Sequence, residues 1–220
     1  MSGPDRDRFG AVYRPRRRSE SEERTEELLE SAVEEFLERG YEGARISEIA
    51  RRGGVTTGAI YARWRSKNDL LTAAVGHVLA QDLTEQRLQV LGAAEMQPHE
   101  MFLALGESLM APFDLRDVMV QVFGSARNNE SIRACLDRFL NEDAGQLGRL
   151  IDVAKEQGFC DPQLSTAALS LFCQAIGIGI DLLLTSGLDD HYRPAANDWS
   201  ALIARVIDAV QPPKSVAPAV

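Results

Sequence analysis

Histidine and cysteine are the side chains that most often hold a metal ion or act as a nucleophile, so their spacing is informative. This chain has three of each, at widely separated positions: His77, His99, His191, Cys135, Cys160 and Cys173. The sequence contains no CxxC pair, no metal-binding histidine spacing, no glycine-rich phosphate loop and no nucleophile motif. We therefore predict no catalytic residue, no metal site and no cofactor, and keep a helical enzyme as an alternative.

The cysteines and the N-terminus favour a cytoplasmic protein. An odd number of scattered cysteines does not form a disulfide framework, and Cys135 and Cys173 lie in apolar helical stretches where a thiol is usually buried. The N-terminus is rich in arginine without an apolar segment, and no run of about 18 apolar residues occurs. We therefore expect no secretory signal, no membrane span and no membrane partner.

Charge is distributed unevenly along the chain. The 220 residues carry a net charge of −9, yet residues 1–75 are balanced, with 14 basic and 14 acidic side chains. Residues 45–67 hold six Lys and Arg side chains against the single Glu48, a net charge of +5. A basic segment on an otherwise acidic protein suits a polyanionic partner such as DNA.

Hydrophobic periodicity predicts three helices around this basic segment. The expected spans are about 19–40, 45–53 and 56–64. Ser19 forms a plausible capping box with Glu22 at the start of the first helix, which ends at Gly40. Gly54 permits a tight turn between the second and third helices. Two short helices joined by such a turn form a helix-turn-helix, which leaves the second helix free to enter a major groove.

The rest of the sequence also reads as helical, so the predicted fold class is all-α. A connecting helix is expected from Ser66 to about Leu91, followed by helices over about 98–110, 115–125, 130–157, 163–186 and 196–211. The expected regions are a disordered basic arm over 1–19, a helix-turn-helix domain over 20–75, a dimerisation and ligand-binding domain over 76–211 and a tail over 212–220. The arm is either a solvated tail or a DNA contact.

One stretch resembles a known family closely. Residues 49–71 read IARRGGVTTGAIYARWRSKNDLL, which resembles the DNA-binding segment of the tetracycline-repressor (TetR) family. The close agreement covers about residues 25–75, whereas the body is similar to the family only in the number and order of its helices. The resemblance implies a homodimer that binds a double-stranded DNA operator through paired helix-turn-helix heads. It also implies a repressor that a small-molecule effector releases from DNA.

The resemblance and the residue types together indicate a set of DNA-contacting residues: Arg45, Ser47, Thr56, Thr57, Gly58, Tyr61, Arg63 and Lys67. Tyr61 and Lys67 resemble the family's phosphate-contacting tyrosine and lysine. Thr56 is also a natural N-cap for the third helix, and Gly58 allows close approach to DNA or to a neighbouring backbone. For reading base edges we expect Thr57 first, then Ser47 and Thr56.

Two of the departures from the family pattern concern the start of the second helix. A threonine usually caps the second helix where this chain has Arg45, and an arginine is often found where it has Ser47, so the residue that caps this helix is left open. The neighbouring Arg51 and Arg52 form either a solvated helix face or part of the DNA-binding surface.

The body has two apolar helical stretches, near 163–186 and 196–211. Gly177 and Gly179 lower the helix propensity of the first, and close packing against another helix would compensate. The two stretches either form a four-helix homodimer interface or belong to an ordinary buried core.

Polar side chains within apolar stretches suggest a ligand pocket, although each is also explained as an exposed or internally bonded residue. The candidates are Phe102, Glu107, Gln121, Phe123, Asn128, Gln174 and Asp181. Glu107 and Asp181 would favour a cationic effector, whose identity is unknown. A DNA-binding dimer that answers to a protein partner, or to no ligand, is the second alternative.

Overall fold

The structure is a computed structural model that describes residues 20–111 and 116–213. Within these ranges every regular element is helical, which confirms the all-α class. Ten α-helices follow one another: α1 (Glu20–Gly43), α2 (Ile46–Arg52), α3 (Thr57–Arg63), α4 (Lys67–Gln81), α5 (Thr84–Val90), α6 (Pro98–Ser108), α7 (Arg116–Ala126), α8 (Glu130–Glu156), α9 (Thr166–Thr185) and α10 (Ala196–Ala209). The expected arm, the Ser19 cap and tail residues 214–220 lie outside the described residues.

The helices form two compact units, which are described separately. The first unit comprises Met1–Asp82 and Asp114–Leu140, and the second comprises Leu83–Phe113 and Asn141–Val220. The division falls within α8. The functional boundary expected between residues 75 and 76 stays a prediction.

The first helix, α1, has acidic residues in its first turn and, as the sequence predicts, breaks at Gly40. Three glutamates in the first turn of α1 complement the positive end of the helix dipole: Glu20, Glu22 and Glu23. Regular helix breaks at Gly40, whose φ of 70° is a left-handed conformation that favours glycine. A short helical segment then continues to Gly43.

Side-chain caps fix the next helices. Thr56 accepts a hydrogen bond from the backbone N–H of Ala59 and begins α3, and Ser66 accepts one from Asp69 and begins α4. Between α2 and α3, Gly54 has a φ of 62°. These features confirm the expected turn and both expected caps.

The core of the first unit joins the helix-turn-helix to α4 and α7. The buried apolar residues of α1 recur at helical spacing and form a stripe along one face of the helix. With buried residues of the following helices they make up the core: Leu28, Leu29, Ala32, Val33, Phe36, Ile46, Ile49, Ile60, Leu70, Leu71, Ala74, Val118 and Val122. Ile60 is the only buried residue of α3 and is fully shielded from solvent. The other six residues of α3, one of them Gly58, lie on the surface.

The connecting helix is shorter than expected. Instead of running to Leu91, α4 ends at Gln81 and a separate helix, α5, begins at Thr84. Thr84 donates from its backbone N–H and its hydroxyl to Asp143 Oδ1, at 3.0 and 2.6 Å. The first turn of α5 is thus satisfied by a partner 59 residues away, which local sequence does not reveal.

The second unit has its own core and one exposed apolar helix. Leu88, Leu105 and Leu150 form one buried cluster, and Trp199 of α10 donates its indole N–H to the backbone oxygen of Gly106 at 2.8 Å. By contrast, Ser170 is the one buried residue of α9. By length and composition alone, α9 is apolar enough to cross a membrane, and only 6% of its apolar window is buried.

Candidate nucleic-acid interface

The third helix, α3, exposes polar residues to solvent and is held in the core by Ile60. Thr57, Gly58, Tyr61 and Arg63 of α3 are all exposed, and Tyr61 retains 52% of its accessible surface. Ile60 points the opposite way, into the core. A Cβ added at Gly58 would meet only the hydroxyl of Thr56, at 3.7 Å, so no part of the described chain crowds this backbone.

The other expected contacts lie around α3. Arg45, Ser47 and Thr56 are exposed, and Lys67 is half-buried at the start of α4. The structure therefore brings all eight expected residues to one helix-turn-helix and the start of the following helix. Their roles in DNA binding stay predictions.

Two of the expected contacts already have partners in the protein. Lys67 Nζ donates to the backbone oxygen of Glu42 at 2.7 Å, which ties α4 to the end of α1. The Arg63 guanidinium donates to the hydroxyl of Thr25, lies 3.4 Å from that of Ser21, and sits 5.6 Å from the centre of the Trp64 ring. All of these partners are neutral groups, so none of these contacts offsets the positive charge of either side chain.

The arginines of α2 behave differently, because carboxylates neutralise them. Arg51 forms an ion pair with Glu48 at 2.6 Å, and Arg52 donates through both terminal nitrogens to the two carboxylate oxygens of Glu38. The hydrogen bonds from Arg52 and Arg51 hold the pKa values of Glu38 and Glu48, respectively, below the ordinary value. The local positive charge is therefore concentrated near α3 rather than on α2.

A buried glutamate, which the sequence reading did not single out, answers the open question of the α2 cap. Arg45 occupies the N-cap position with an extended backbone and makes no side-chain cap. Instead, its backbone N–H donates to Glu35 Oε1 of α1 at 3.1 Å. Glu35 is fully buried, and its position interrupts the apolar stripe of α1 between Ala32 and Phe36. That interruption is the one sequence signal that could have revealed it.

A network of polar side chains connects Asn68, the residue after Lys67, to α1 and α8. The Tyr41 hydroxyl donates to Asn68 Oδ1, and Asn68 Nδ2 donates to the Ser131 hydroxyl at 2.9 Å. Burial raises the pKa of Tyr41 above its ordinary value, so its hydroxyl stays protonated at neutral pH. The network fixes the start of α4, and with it Lys67, relative to α1 and α8.

The expected pocket residues are divided between the two units. Gln121, Phe123 and Asn128 belong to the first unit, and Phe102, Glu107, Gln174 and Asp181 belong to the second. Gln121 donates to Leu37 O at 2.8 Å and Gln174 to Asp143 at 3.1 Å, whereas Glu107 and Asn128 are exposed. Their role as a ligand site stays a prediction.

An open depression in the first unit is lined by other residues. Its volume is about 460 Å³, and it lies along one face of α4 and the start of α8. Its polar lining includes Asn68, Asp69, Thr72, Ser131 and Arg138. None of the expected pocket residues is among those that line it.

Exposed α3 on a packed α1–α2 base defines the class of this domain as a helix-turn-helix. Comparison with known proteins shows which family this segment matches. Residues 28–74 match the family described as "Bacterial regulatory proteins, tetR family".

Two regulators illustrate the sequence similarity. The BetI regulator of Escherichia coli O45:K1 (strain S88 / ExPEC) is 38% identical over 78 residues, which make up 34% of this chain and 40% of BetI. The repressor BepR of Brucella suis biovar 1 (strain 1330) is 26% identical over 192 residues, covering 87% of this chain and 78% of BepR. The chain thus aligns with only two fifths of BetI.

Solved structures agree on the fold. A TetR-family transcriptional regulator from Rhodococcus sp. superposes with a TM-score of 0.69 at 19% identity, covering 86% of this chain and 99% of that one. A transcriptional regulator from Saccharomonospora viridis in complex with choline has a TM-score of 0.67 at 23% identity, covering 86% and 97%. These structures show that the chain shares their fold, and the sequence matches show a TetR-type helix-turn-helix segment over residues 28–74.

Proposed function

We propose that the chain is a homodimeric repressor that holds operator DNA through two α3 helices and releases it when a small molecule binds. The observation that carries this proposal is the exposed polar face of α3 beside Arg63 and Lys67, which carry no compensating carboxylate contacts among the described ion pairs. Thr57 on this face suits the reading of base edges. Tyr61 and Lys67 suit phosphate contacts, which supply affinity without sequence information.

A dimer follows from the exposed apolar surface of the second unit. Leu171, Phe172 and Leu183 of α9 expose 68, 49 and 57% of their surface, and Leu202 of α10 exposes 52%. A helix that exposes several large apolar side chains suits an interaction site, and a second copy is the partner that a palindromic operator requires. In such a dimer the two α3 helices would lie roughly 34 to 36 Å apart, to reach successive major grooves.

The effector is proposed from the fold neighbour. The Saccharomonospora viridis regulator is in complex with choline, a cation, and Glu107 and Asp181 are acidic residues of the second unit in this chain. Consider a dimer form in which the spacing of the two α3 helices does not fit DNA. A ligand that binds this form more tightly would shift the population toward it and so lower DNA affinity. We therefore propose a small cationic effector bound in the second unit.

The direct test is DNA binding across a salt series. Purified protein is titrated with duplexes from the DNA flanking its coding region, beside a Tyr61→Ala, Lys67→Ala variant checked by circular dichroism. Tyr192, 71% exposed in the second unit, provides the matched control Tyr192→Ala. Wild type and control should bind one duplex in preference to competitor, with an affinity that falls steeply with salt, and the double variant should lose this binding. Equal weak binding by all three proteins would contradict the proposal.

A second experiment separates the effector from the alternatives. Choline is added to the preformed complex, and DNA release is followed by fluorescence anisotropy. Release by choline or a related quaternary amine, and its loss in Glu107→Gln or Asp181→Asn, would support the cationic pocket. If small molecules do not weaken DNA binding but a protein fraction does, the second alternative, a regulator that answers to a protein partner, replaces it.

A further inference from the structure

A single buried carboxylate contacts residues at both ends of α2. Glu35 Oε1 accepts the backbone N–H of Arg45, the N-cap residue, at 3.1 Å. Glu35 Oε2 lies 3.3 Å from a terminal nitrogen of Arg52, the last residue of the helix. The Glu35 side chain is 0% exposed, so both contacts are shielded from water and from salt.

Arg52 extends this contact into a clamp. Its guanidinium binds Glu38 of α1 through two nitrogens and lies 3.5 Å from Glu34 of α1 and 3.5 Å from Glu48 of α2. The planar, five-donor fork of arginine is suited to several carboxylates at once, whereas the compact ammonium of lysine is not. These contacts together fix α2 against α1.

The carboxylates of the clamp make Arg52 unsuited to a phosphate contact. The side chain is 17% exposed, and four carboxylates within 3.5 Å surround it. A phosphate approaching Arg52 would meet the exposed carboxylates of Glu34 and Glu38 and be repelled. Although it is a basic residue of the helix-turn-helix, Arg52 is therefore not a phosphate contact.

The orientation of α2 sets the orientation of α3. The two helices are joined by a four-residue turn, and the backbone N–H of Val55 donates to Ala50 O of α2 at 2.9 Å. Only Ile60 anchors α3 in the core directly. A tilt of α2 against α1 would therefore carry α3 with it and displace Thr57 and Tyr61 from their positions.

We propose that Glu35 and Arg52 are positioning residues for operator recognition, acting through the orientation of α2 and α3 without contacting DNA. The inference rests on the proposed function of the chain as a sequence-reading regulator. It distinguishes two kinds of arginine on one short helix: Arg52, which fixes α2 to α1, and Arg51, which pairs only with Glu48 of the same helix and has a 71% exposed side chain. That difference provides a matched control.

The test compares Arg52→Lys with Arg51→Lys in the full-length protein. The probes are a duplex that wild type selects from a random-sequence pool and an unselected duplex of equal length. Both substitutions keep the charge, so a phosphate contact would survive either one. Arg52→Lys should lower affinity for the selected duplex about tenfold, a change equal to one misread base pair. It should leave affinity for the unselected duplex and the salt slope unchanged, and Arg51→Lys should leave both affinities unchanged.

A second variant keeps the inference testable if Arg52→Lys folds poorly. Glu35→Gln preserves side-chain length and an oxygen for the Arg45 N–H but removes the negative charge that faces Arg52 and, at 3.0 Å, Arg39 of the same helix. It should give the same pattern: lower specificity at an unchanged salt slope. Because both affinities come from one preparation, a change in the folded fraction would not alter their ratio.

Three results would overturn the inference. The first is that Arg52→Lys binds both duplexes as wild type does, which would show that the clamp does not position α3. The second is that both lysine variants weaken both duplexes equally, which would show that the effect is neither specific to Arg52 nor tied to the reading of sequence. If wild type itself selects no duplex, the proposed function fails and this inference fails with it, and that result is distinct from the first two.

Discussion

Two exposed helices of this protein offer opposite surfaces. On α3, Thr57, Tyr61 and Arg63 face solvent while Ile60 is buried. On α9, Leu171, Phe172 and Leu183 face solvent and a serine is buried. Hydrogen-bonding side chains on a rigid helix suit the edges and phosphates of DNA, whereas an uncovered apolar helix suits another protein surface. The contrast teaches that exposure alone does not define a site; the chemistry of the exposed face indicates its partner.

The largest expected effect comes from adding charge to the apolar helix. Leu171→Glu with Phe172→Glu should convert the proposed dimer to a monomer, because carboxylates at a buried interface are costly to desolvate. Affinity for an operator that needs two heads should then fall at least about a hundredfold, since the second contact is no longer intramolecular. Sedimentation velocity and a DNA titration measure the two effects.

Val90 provides the control for that substitution. It is an exposed apolar residue of α5 that is 80% accessible. Val90→Glu should change neither the mass nor the affinity. A Leu171→Glu, Phe172→Glu variant that keeps the wild-type sedimentation coefficient would show that α9 is not the interface.

Removal of the single anchor of α3 should be the next largest change. Ile60→Ala deletes three buried carbon atoms from a fully shielded position and should lower the free energy of unfolding by about 2 to 5 kcal/mol. Val55→Ala, at a residue that is 37% exposed, should cost much less. Urea denaturation followed by circular dichroism measures both. Equal losses would mean that α3 is not held by Ile60.

Close packing in the second unit can be tested at a glycine. A Cβ at Gly106 of α6 would lie 2.6 Å from Ile203 Cγ2 of α10, so Gly106→Ala should destabilise the protein by about 1 to 3 kcal/mol. At Gly124 of α7 a Cβ meets nothing within 4 Å, and Gly124→Ala should stabilise the helix by about 0.5 to 1 kcal/mol. Thermal unfolding measures the melting temperature of both variants. If both substitutions raise it, or both lower it, this packing is contradicted.

The smallest expected effect concerns the acid titration of Glu38. Its hydrogen bond with Arg52 lowers the pKa of this carboxyl in the folded state. The contact is therefore fully formed above the unfolded value and is lost as pH falls through the lowered pKa. An NMR titration of the carboxyl carbons should show a low midpoint that rises toward the ordinary value in Arg52→Met. An unchanged midpoint would mean that the clamp does not hold Glu38.

Much of the fold was predictable because its signals are local. The caps Thr56 and Ser66, the turn at Gly54 and the apolar stripes depend on residues close in sequence, and the structure reproduces them. The break after Gln81 was missed because Asp143, which satisfies the start of α5, is remote in sequence.

The candidate site shows the same limit. The exposed residues of α3 follow directly from the helical pattern around Ile60. Glu35 does not, since glutamate at a buried position contradicts the usual burial of apolar residues, and its partners Arg45 and Arg52 become visible only when α1 and α2 are packed.

The proposed recognition of an operator depends most directly on whether α3 enters the major groove. Methylation interference at guanine N7, an atom exposed only in the major groove, tests this on a duplex that the wild-type protein selects. We predict two patches of interference about one helical turn apart, or a multiple of it, with the pattern weakened by Thr57→Ala at a few positions only. Binding that is insensitive to N7 methylation, or a single patch unaffected by any change in α3, would contradict the entry of α3 into the major groove.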